Sequence, residues 1–153
     1  MVKLKVGEPA PDFHGKTQSG KEVSLRDFAG KKLALYFYPK DDTPGCTAEA
    51  CCLRDNYQVL RSYGVEILGV SPDNEASHEK FISKYRLPFD LIPDKEKIII
   101  RDYGAWGKKK LYGREYEGLI RTTFLIDEEG VVQHIFTKVD TKNHAQQILT
   151  VLT

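Results

Sequence analysis

Leu33-Ala-Leu-Tyr-Phe-Tyr38-Pro-Lys-Asp-Asp-Thr43-Pro-Gly-Cys46 is the stretch on which the fold turns. Its first six residues form a continuous apolar run of strand length. An alternating pattern would mean one wet face; a continuous one suits a central strand buried on both. Pro39 closes it. Thr43 is a natural N-cap, and Pro44 suits the first helical position, where its missing N–H has no partner to lose. A buried strand therefore runs through a short loop into a helix that begins beside Cys46. The spacing predicts that this helix continues to about Tyr63, where Gly64 ends it.

Working outward, Val65-Glu-Ile-Leu-Gly-Val70 reads as a second buried strand. Asp73 is placed to cap a helix over residues 74–86, with Phe81, Ile82 and Tyr85 inward. Pro88 opens a strand at Phe89–Ile92, followed by a short helix near Lys95–Tyr103. Thr122–Ile126 and Val131–Phe136, joined by Asp127-Glu-Glu-Gly130, form an antiparallel hairpin, and Thr141–Leu152 is an amphipathic closing helix. Near the N-terminus, Pro9-Ala-Pro11 is extended and Gln18-Ser-Gly-Lys21 turns between two short strands. The expected architecture is α/β: a mixed sheet with helices on both faces and an N-terminal β-hairpin. A thioredoxin-like fold matches this order best.

The chain's 153 residues fit one domain, over 1–153, with no repeat or linker. A net charge of +1 gives no pull toward nucleic acid or a membrane surface. The one basic run, Lys108-Lys-Lys110, reads as a solvated loop. The opening Met1-Val-Lys-Leu-Lys-Val6 breaks its apolar residues with lysines and does not read as a secretory signal. Three cysteines, an odd number, fit a stapled secreted domain poorly. A cytoplasmic protein with thiols is expected. The four histidines, His14, His78, His134 and His144, are read as surface or structural residues.

Cys46 lies in the first turn of its helix, where free N–H groups and the positive end of the macrodipole favour an anion. A free thiol is only about 3% ionised at neutral pH. Complete ionisation would gain roughly 30-fold, or about 2 kcal/mol. Part of that is cancelled, because nucleophilicity falls with pKa along a slope of about 0.4–0.5. A fast thiol nucleophile also needs donors aimed at the atoms where charge develops. Thr43, three residues before Cys46, and Arg121, at the border of the strand in Arg121-Thr-Thr-Phe-Leu-Ile-Asp127, are candidates. Pro39 can shield a thiolate from water without competing as a donor. Taken singly, Thr43 is a cap, Arg121 a surface charge, and a lone cysteine a small buried hydrophobe.

Together they form a pattern. Pro39-Lys-Asp-Asp-Thr43-Pro-Gly-Cys46 resembles the Pro-x-x-x-Thr-x-x-Cys signature of peroxiredoxins. Thr43-Pro-Gly-Cys46-Thr-Ala-Glu-Ala-Cys51 and Leu53-Arg-Asp55 are similar to the bacterioferritin comigratory protein (peroxiredoxin Q) subgroup. So are Gly7-Glu-Pro-Ala-Pro-Asp-Phe13, Tyr103-Gly-Ala-Trp-Gly107 and Arg121 to Asp127. The resemblance runs from residue 7 to the last helix. It implies reduction of hydrogen peroxide or alkyl hydroperoxides, with no metal or organic cofactor. Cys46 would be the peroxidatic cysteine, Thr43 and Arg121 would hold thiolate and peroxide, and Pro39 would shield them. Glu49 would orient Arg121. A thioredoxin-like dithiol protein would be the electron donor, and a monomer is expected, a dimer being the alternative.

Peroxide attack leaves Cys46 as a sulfenic acid that a second thiol must condense with. No cysteine follows Cys52, so the resolver is Cys51, Cys52, another chain's cysteine or an external thiol. Residues five apart on a helix have Cα atoms ~8.6 Å apart and point about 140° away from each other; six apart, the distance is ~9.9 Å. A disulfide needs under ~7 Å. Either bond therefore requires residues 43–53 to unwind. The subgroup resemblance places the resolver at Cys51. Cys52 departs from it, since a small residue such as Ser or Gly is usual there.

Other readings fit less well. A disulfide exchanger wants Cys-x-x-Cys, which is absent. A zinc site on the three cysteines and a histidine is awkward, because adjacent cysteines face different sides of a helix. A cysteine hydrolase needs a partnered histidine with no signature here. A non-catalytic thioredoxin-fold module would show ordinary Cys46 reactivity.

Overall fold

The computed structural model describes residues 4–153; Met1-Val-Lys3, where the reading of the N-terminus began, lies outside them. Two short strands, β1 (His14–Lys16) and β2 (Glu22–Ser24), pair antiparallel as expected. Then come β3 (Lys32–Phe37), α1 (Pro44–Asp55), α2 (Tyr57–Ser62), β4 (Val65–Ser71), α3 (Glu75–Tyr85), β5 (Asp90–Pro93) and α4 (Ile98–Asp102). A hairpin of β6 (Trp106–Leu111) and β7 (Arg114–Leu119) precedes β8 (Thr122–Ile126), β9 (Val132–Phe136) and α5 (His144–Leu152).

The main sheet has the order β5-β4-β3-β8-β9. Strands β3, β4 and β5 are parallel, each joined to the next through helix, while β8 and β9 return antiparallel. The apolar run of β3 is central, with β4 on one side and β8 on the other. Its alternate residues feed two cores. Leu33, Leu35 and Phe37 pack with Phe13, Val23, Ile99, Ile100 and Tyr103 on the face covered by α4 and the N-terminal hairpin. Ala34 and Tyr36 pack with Ala50, Leu53, Leu60, Phe81 and Ile148 on the face covered by α1, α2, α3 and α5. The Tyr36 ring lies over Gly69 of β4, where any Cβ would come within 2.9 Å of it. This is a mixed α/β, thioredoxin-like architecture.

Several boundaries differ from the sequence expectation. The long helix does not reach Tyr63 unbroken. At Asn56 (φ −111°, ψ 12°) the backbone leaves the helix, and the side-chain amide donates to the Cys52 carbonyl at 2.8 Å. Asn74, not Asp73, caps α3 by accepting from the Ser77 N–H at 2.8 Å. Asp73 instead accepts from the Asp41 N–H at 2.6 Å and the Ser71 hydroxyl at 3.2 Å. The short helix before Tyr103 begins only at Ile98. There Asp94 takes the free N–H groups of Ile98 and Ile100 at 3.1 and 2.8 Å. Lys108–Lys110 lies in β6, not in a loop.

Candidate active site

Buried positions on α1 are Cys46, Glu49, Ala50 and Leu53, a single stripe at i, i+3, i+4 and i+7. The stripe faces the sheet, so Cys46 sits at its start with only 1% of its surface exposed. Pro44 occupies the first turn, and the first intrahelical bond recorded runs from Thr47 N–H to Thr43 carbonyl at 2.8 Å. The amides of Gly45 and Cys46 precede that bond and have no intrahelical acceptor.

Arg121, two residues beyond β7, reaches the same point. One guanidinium nitrogen, Nη2, donates to Cys46 Sγ at 3.1 Å, and Nη1 pairs with Glu49 Oε1 at 2.5 Å. Gly45 permits this approach: a Cβ there would lie 3.4 Å from Arg121 Nη2. The cationic fork thus links the sulfur to a carboxylate one helical turn further on. Burial opposes the charge on Arg121, yet Glu49 and Cys46 outweigh it and raise its pKa. For Glu49 the balance goes the other way. Its side chain is fully buried, and desolvation pushes its pKa up to about 7 against the pull of Arg121. Its second oxygen, Oε2, is buried without a hydrogen-bond partner.

The loop between β3 and α1 is pinned from below. Asp41 Oδ1 accepts from the Tyr38 hydroxyl at 2.6 Å, and Oδ2 meets Ser77 Oγ and His78 Nδ1, each at 2.7 Å. His78 Nε2 faces the Ile92 carbonyl at 3.1 Å, so both ring nitrogens are engaged. Burial raises the Asp41 pKa, but the donors from His78, Tyr38 and Ser77 outweigh it and lower the net value. Asp42 adopts a left-handed backbone (φ 58°), anchored by Lys84 Nζ at 2.7 Å and the Tyr85 hydroxyl at 2.5 Å. Asp41, Asp73 and His78 are the one group of three candidate metal ligands among the described residues, with ligand atoms within 4.8 Å of one another. Those atoms are already spent on hydrogen bonds within the loop anchor. No cysteine belongs to that group.

Each sequence candidate has a definite place. Arg121 and Cys46 meet, and Glu49 holds Arg121. Pro39 is half-buried at the mouth of the loop. Thr43 occupies the N-cap backbone position, but its hydroxyl donates to the Lys40 carbonyl at 2.9 Å instead of accepting from the helix. That departs from the expected side-chain cap, because the hydroxyl finds a backbone acceptor three residues back. Cys51 and Cys52 are half-buried, off the inner stripe, and all three cysteines are free thiols. Burial raises the Cys51 pKa, with Arg54 opposing. The Cys52 thiol faces Gln146 Oε1 of α5 at 3.5 Å. Of the four histidines, read as surface or structural, His144 is buried 3.8 Å from Glu49 Oε2, a neighbourhood that reading did not anticipate. A polar residue at the start of an amphipathic helix was the only signal for it.

Known proteins share this sequence and fold. The AhpC/TSA family model matches residues 6–135. Peroxiredoxin Bcp of Escherichia coli strain K12 is 42% identical over 149 residues, spanning 97% of this chain and 96% of its own. A structure of Xanthomonas campestris peroxiredoxin Q superposes with a TM-score of 0.88 at 35% identity, covering 99% of this chain and 96% of that one. Another, of the bacterioferritin comigratory protein of the same organism, was studied for alkyl peroxide reduction. It superposes equally well (0.88) at 34% identity, covering 99% and 97%. Matched by the family model over most of its length, and by these relatives in sequence and fold, the chain belongs to the AhpC/TSA family, among the peroxiredoxins of the Bcp and peroxiredoxin Q type.

Proposed function

We propose that the thiol-dependent peroxidase activity of this peroxiredoxin runs through Cys46, on hydrogen peroxide and alkyl hydroperoxides, with Cys51 as resolving thiol. The contact that carries this reading is Arg121 Nη2 on Cys46 Sγ at 3.1 Å, fixed from behind by Glu49. The Cys46 thiolate attacks one peroxide oxygen. The O–O bond breaks, sulfur is oxidised to sulfenic acid, and the other oxygen leaves as an alkoxide or hydroxide that takes a proton from water. Arg121 and the free amides of Gly45 and Cys46 lie where that negative charge moves. Thr43 orients the peroxide at the helix mouth, and Pro39 limits water.

Cys46 and Cys51 lie on one continuous helix, α1, so their Cα atoms are ~8.6 Å apart. Unwinding of 43–53 brings them together, after which a thioredoxin-like dithiol reduces the bond. Three free thiols suit a reducing, cytoplasmic setting. The chain acts as a monomer, without nucleic acid. No helix among the described residues is long and apolar enough to cross a membrane.

Peroxide consumption with a dithiol reductant tests the assignment. Cys46→Ser abolishes it. Cys51→Ser keeps one rapid oxidation per chain but then depends on external thiol. Arg121→Gln slows the oxidation of Cys46 by about 10²-fold, the usual effect of losing one preorganised donor. Full turnover by Cys46→Ser would refute the assignment.

A further inference from the structure

Behind the Arg121–Glu49 pair lies a buried imidazole whose protonation the geometry dictates. The side-chain amide of Gln147 is oriented by two backbone groups. Its Nε2 donates to the Lys138 carbonyl and its Oε1 accepts from the Asp140 N–H, both at 3.0 Å. The same Oε1 meets His144 Nδ1 at 2.7 Å. An amide oxygen only accepts, so the imidazole proton sits on Nδ1. His144 Nε2 then carries a lone pair. It faces the Thr123 hydroxyl at 2.8 Å and, at 3.8 Å, Glu49 Oε2. That carboxylate oxygen is the one left without a partner while its twin holds Arg121. His144 is itself fully buried. A buried acceptor with no donor is costly. The nearest remedy is a proton between the two atoms, after a side-chain shift of about 1 Å to hydrogen-bond length.

We propose that His144 is a positioning residue of the peroxidatic site: His144 Nε2 and Glu49 Oε2 share one exchangeable proton, and its presence or absence sets how firmly Glu49 holds Arg121 on the Cys46 sulfur. The inference rests on the site reading above. The groups facing the pair are Cys46 from α1, Tyr36 from β3, Arg121 and Thr123 on and before β8, and Asp140 ahead of α5. From β9 the Phe136 ring packs on the imidazole, the ring centroids 5.5 Å apart. Burial, with Arg121, lowers the His144 pKa, so the proton resides on Glu49 below about pH 7. Above that pH Glu49 is ionised and grips Arg121. Below it the grip loosens, and Cys46 reacts more slowly with peroxide.

Imidazole 15N spectra of the reduced, full-length protein between pH 5.5 and 8.5 test the pair without turnover, His144 being assigned by its loss in His144→Gln. The expected result is a proton on Nδ1 and an Nε2 resonance that shifts with a midpoint near 7, the shift vanishing in Glu49→Gln. A proton on Nε2, or a titration unchanged in Glu49→Gln, would overturn the proposal. In stopped-flow oxidation, His144→Leu removes the acceptor for the neutral acid, so it should move the inflection near pH 7 down by a unit or more and raise the rate several-fold near pH 6. His144→Gln, which offers Oε2 an amide donor and so favours the ionised carboxylate, should lower the inflection as well. An unchanged rate and inflection in His144→Leu would overturn the proposal as well. If His144→Leu fails to fold, the spectra of the wild type and Glu49→Gln decide alone. Absence of any peroxide reaction at Cys46 would sink the site reading instead, and the spectra would still judge the shared proton.

Discussion

At the residue scale the site is held together by a carboxylate kept where it is uncomfortable. The Glu49 pKa is pushed from 4.5 to about 7, so its folded-state value exceeds its unfolded one. The stabilising contribution of the neutral acid is complete below about pH 4.5 and is lost as pH rises through 7. A shift of that size corresponds to up to about 3 kcal/mol. Glu49→Gln should therefore stabilise the fold progressively more as pH rises from 5 to 8, while slowing Cys46 by freeing Arg121. Denaturant melts of both proteins at the two pH values measure this; a stability difference independent of pH would contradict it. Cys46, Thr43, Pro39 and Arg121 were legible in the sequence because each stands at a boundary that sequence marks, a strand end or a helix start. Glu49 was legible by its place one turn on. His144 was not, since its partners are brought to it by the packing of α5 on α1, which no local pattern encodes.

At the element scale the informative piece is α1. Its inner stripe is short, and Arg54 ties its last turn to α3 by donating to the Tyr85 carbonyl at 2.8 Å. The anchors of Asp41 and Asp42 lie before the helix, so they can persist while it unwinds. Amide hydrogen exchange should therefore show residues 43–53 losing protection on oxidation, with β3 and α3 retaining theirs. Equal protection of 43–53 in both redox states would rule out the unwinding step. The break at Asn56 escaped the sequence reading because asparagine is only a weak helix breaker. There it is the back-bond to Cys52, a property of the folded turn, that ends α1.

At the scale of the whole molecule, the main sheet was readable from strand length and turn chemistry, and the order β5-β4-β3-β8-β9 follows from it with the family resemblance. The β6–β7 hairpin was missed. Its lysines and glutamates pair across the strands, Lys108 with Glu117 and Lys110 with Glu115, so polarity that looked like a loop is a ribbon whose outer half is exposed on both faces. Its turn, Tyr112-Gly113, has positive φ at both residues (51° and 77°), and Tyr112 is 96% exposed. Tyrosine fits that conformation poorly, whereas asparagine favours it. Tyr112→Asn should stabilise the protein by about 0.5–1 kcal/mol, the scale of other backbone-fitted substitutions, with peroxide consumption unchanged. A lower melting temperature would refute the turn assignment.

The most direct test of the account is to add one equivalent of hydrogen peroxide to the reduced protein, block the remaining thiols and map the cysteines by mass spectrometry. A Cys46–Cys51 disulfide with Cys52 free is the expected result. A Cys46–Cys52 bond, or sulfenic acid persisting on Cys46, would contradict the assigned resolver, and three unmodified thiols beside unspent peroxide would contradict the account as a whole.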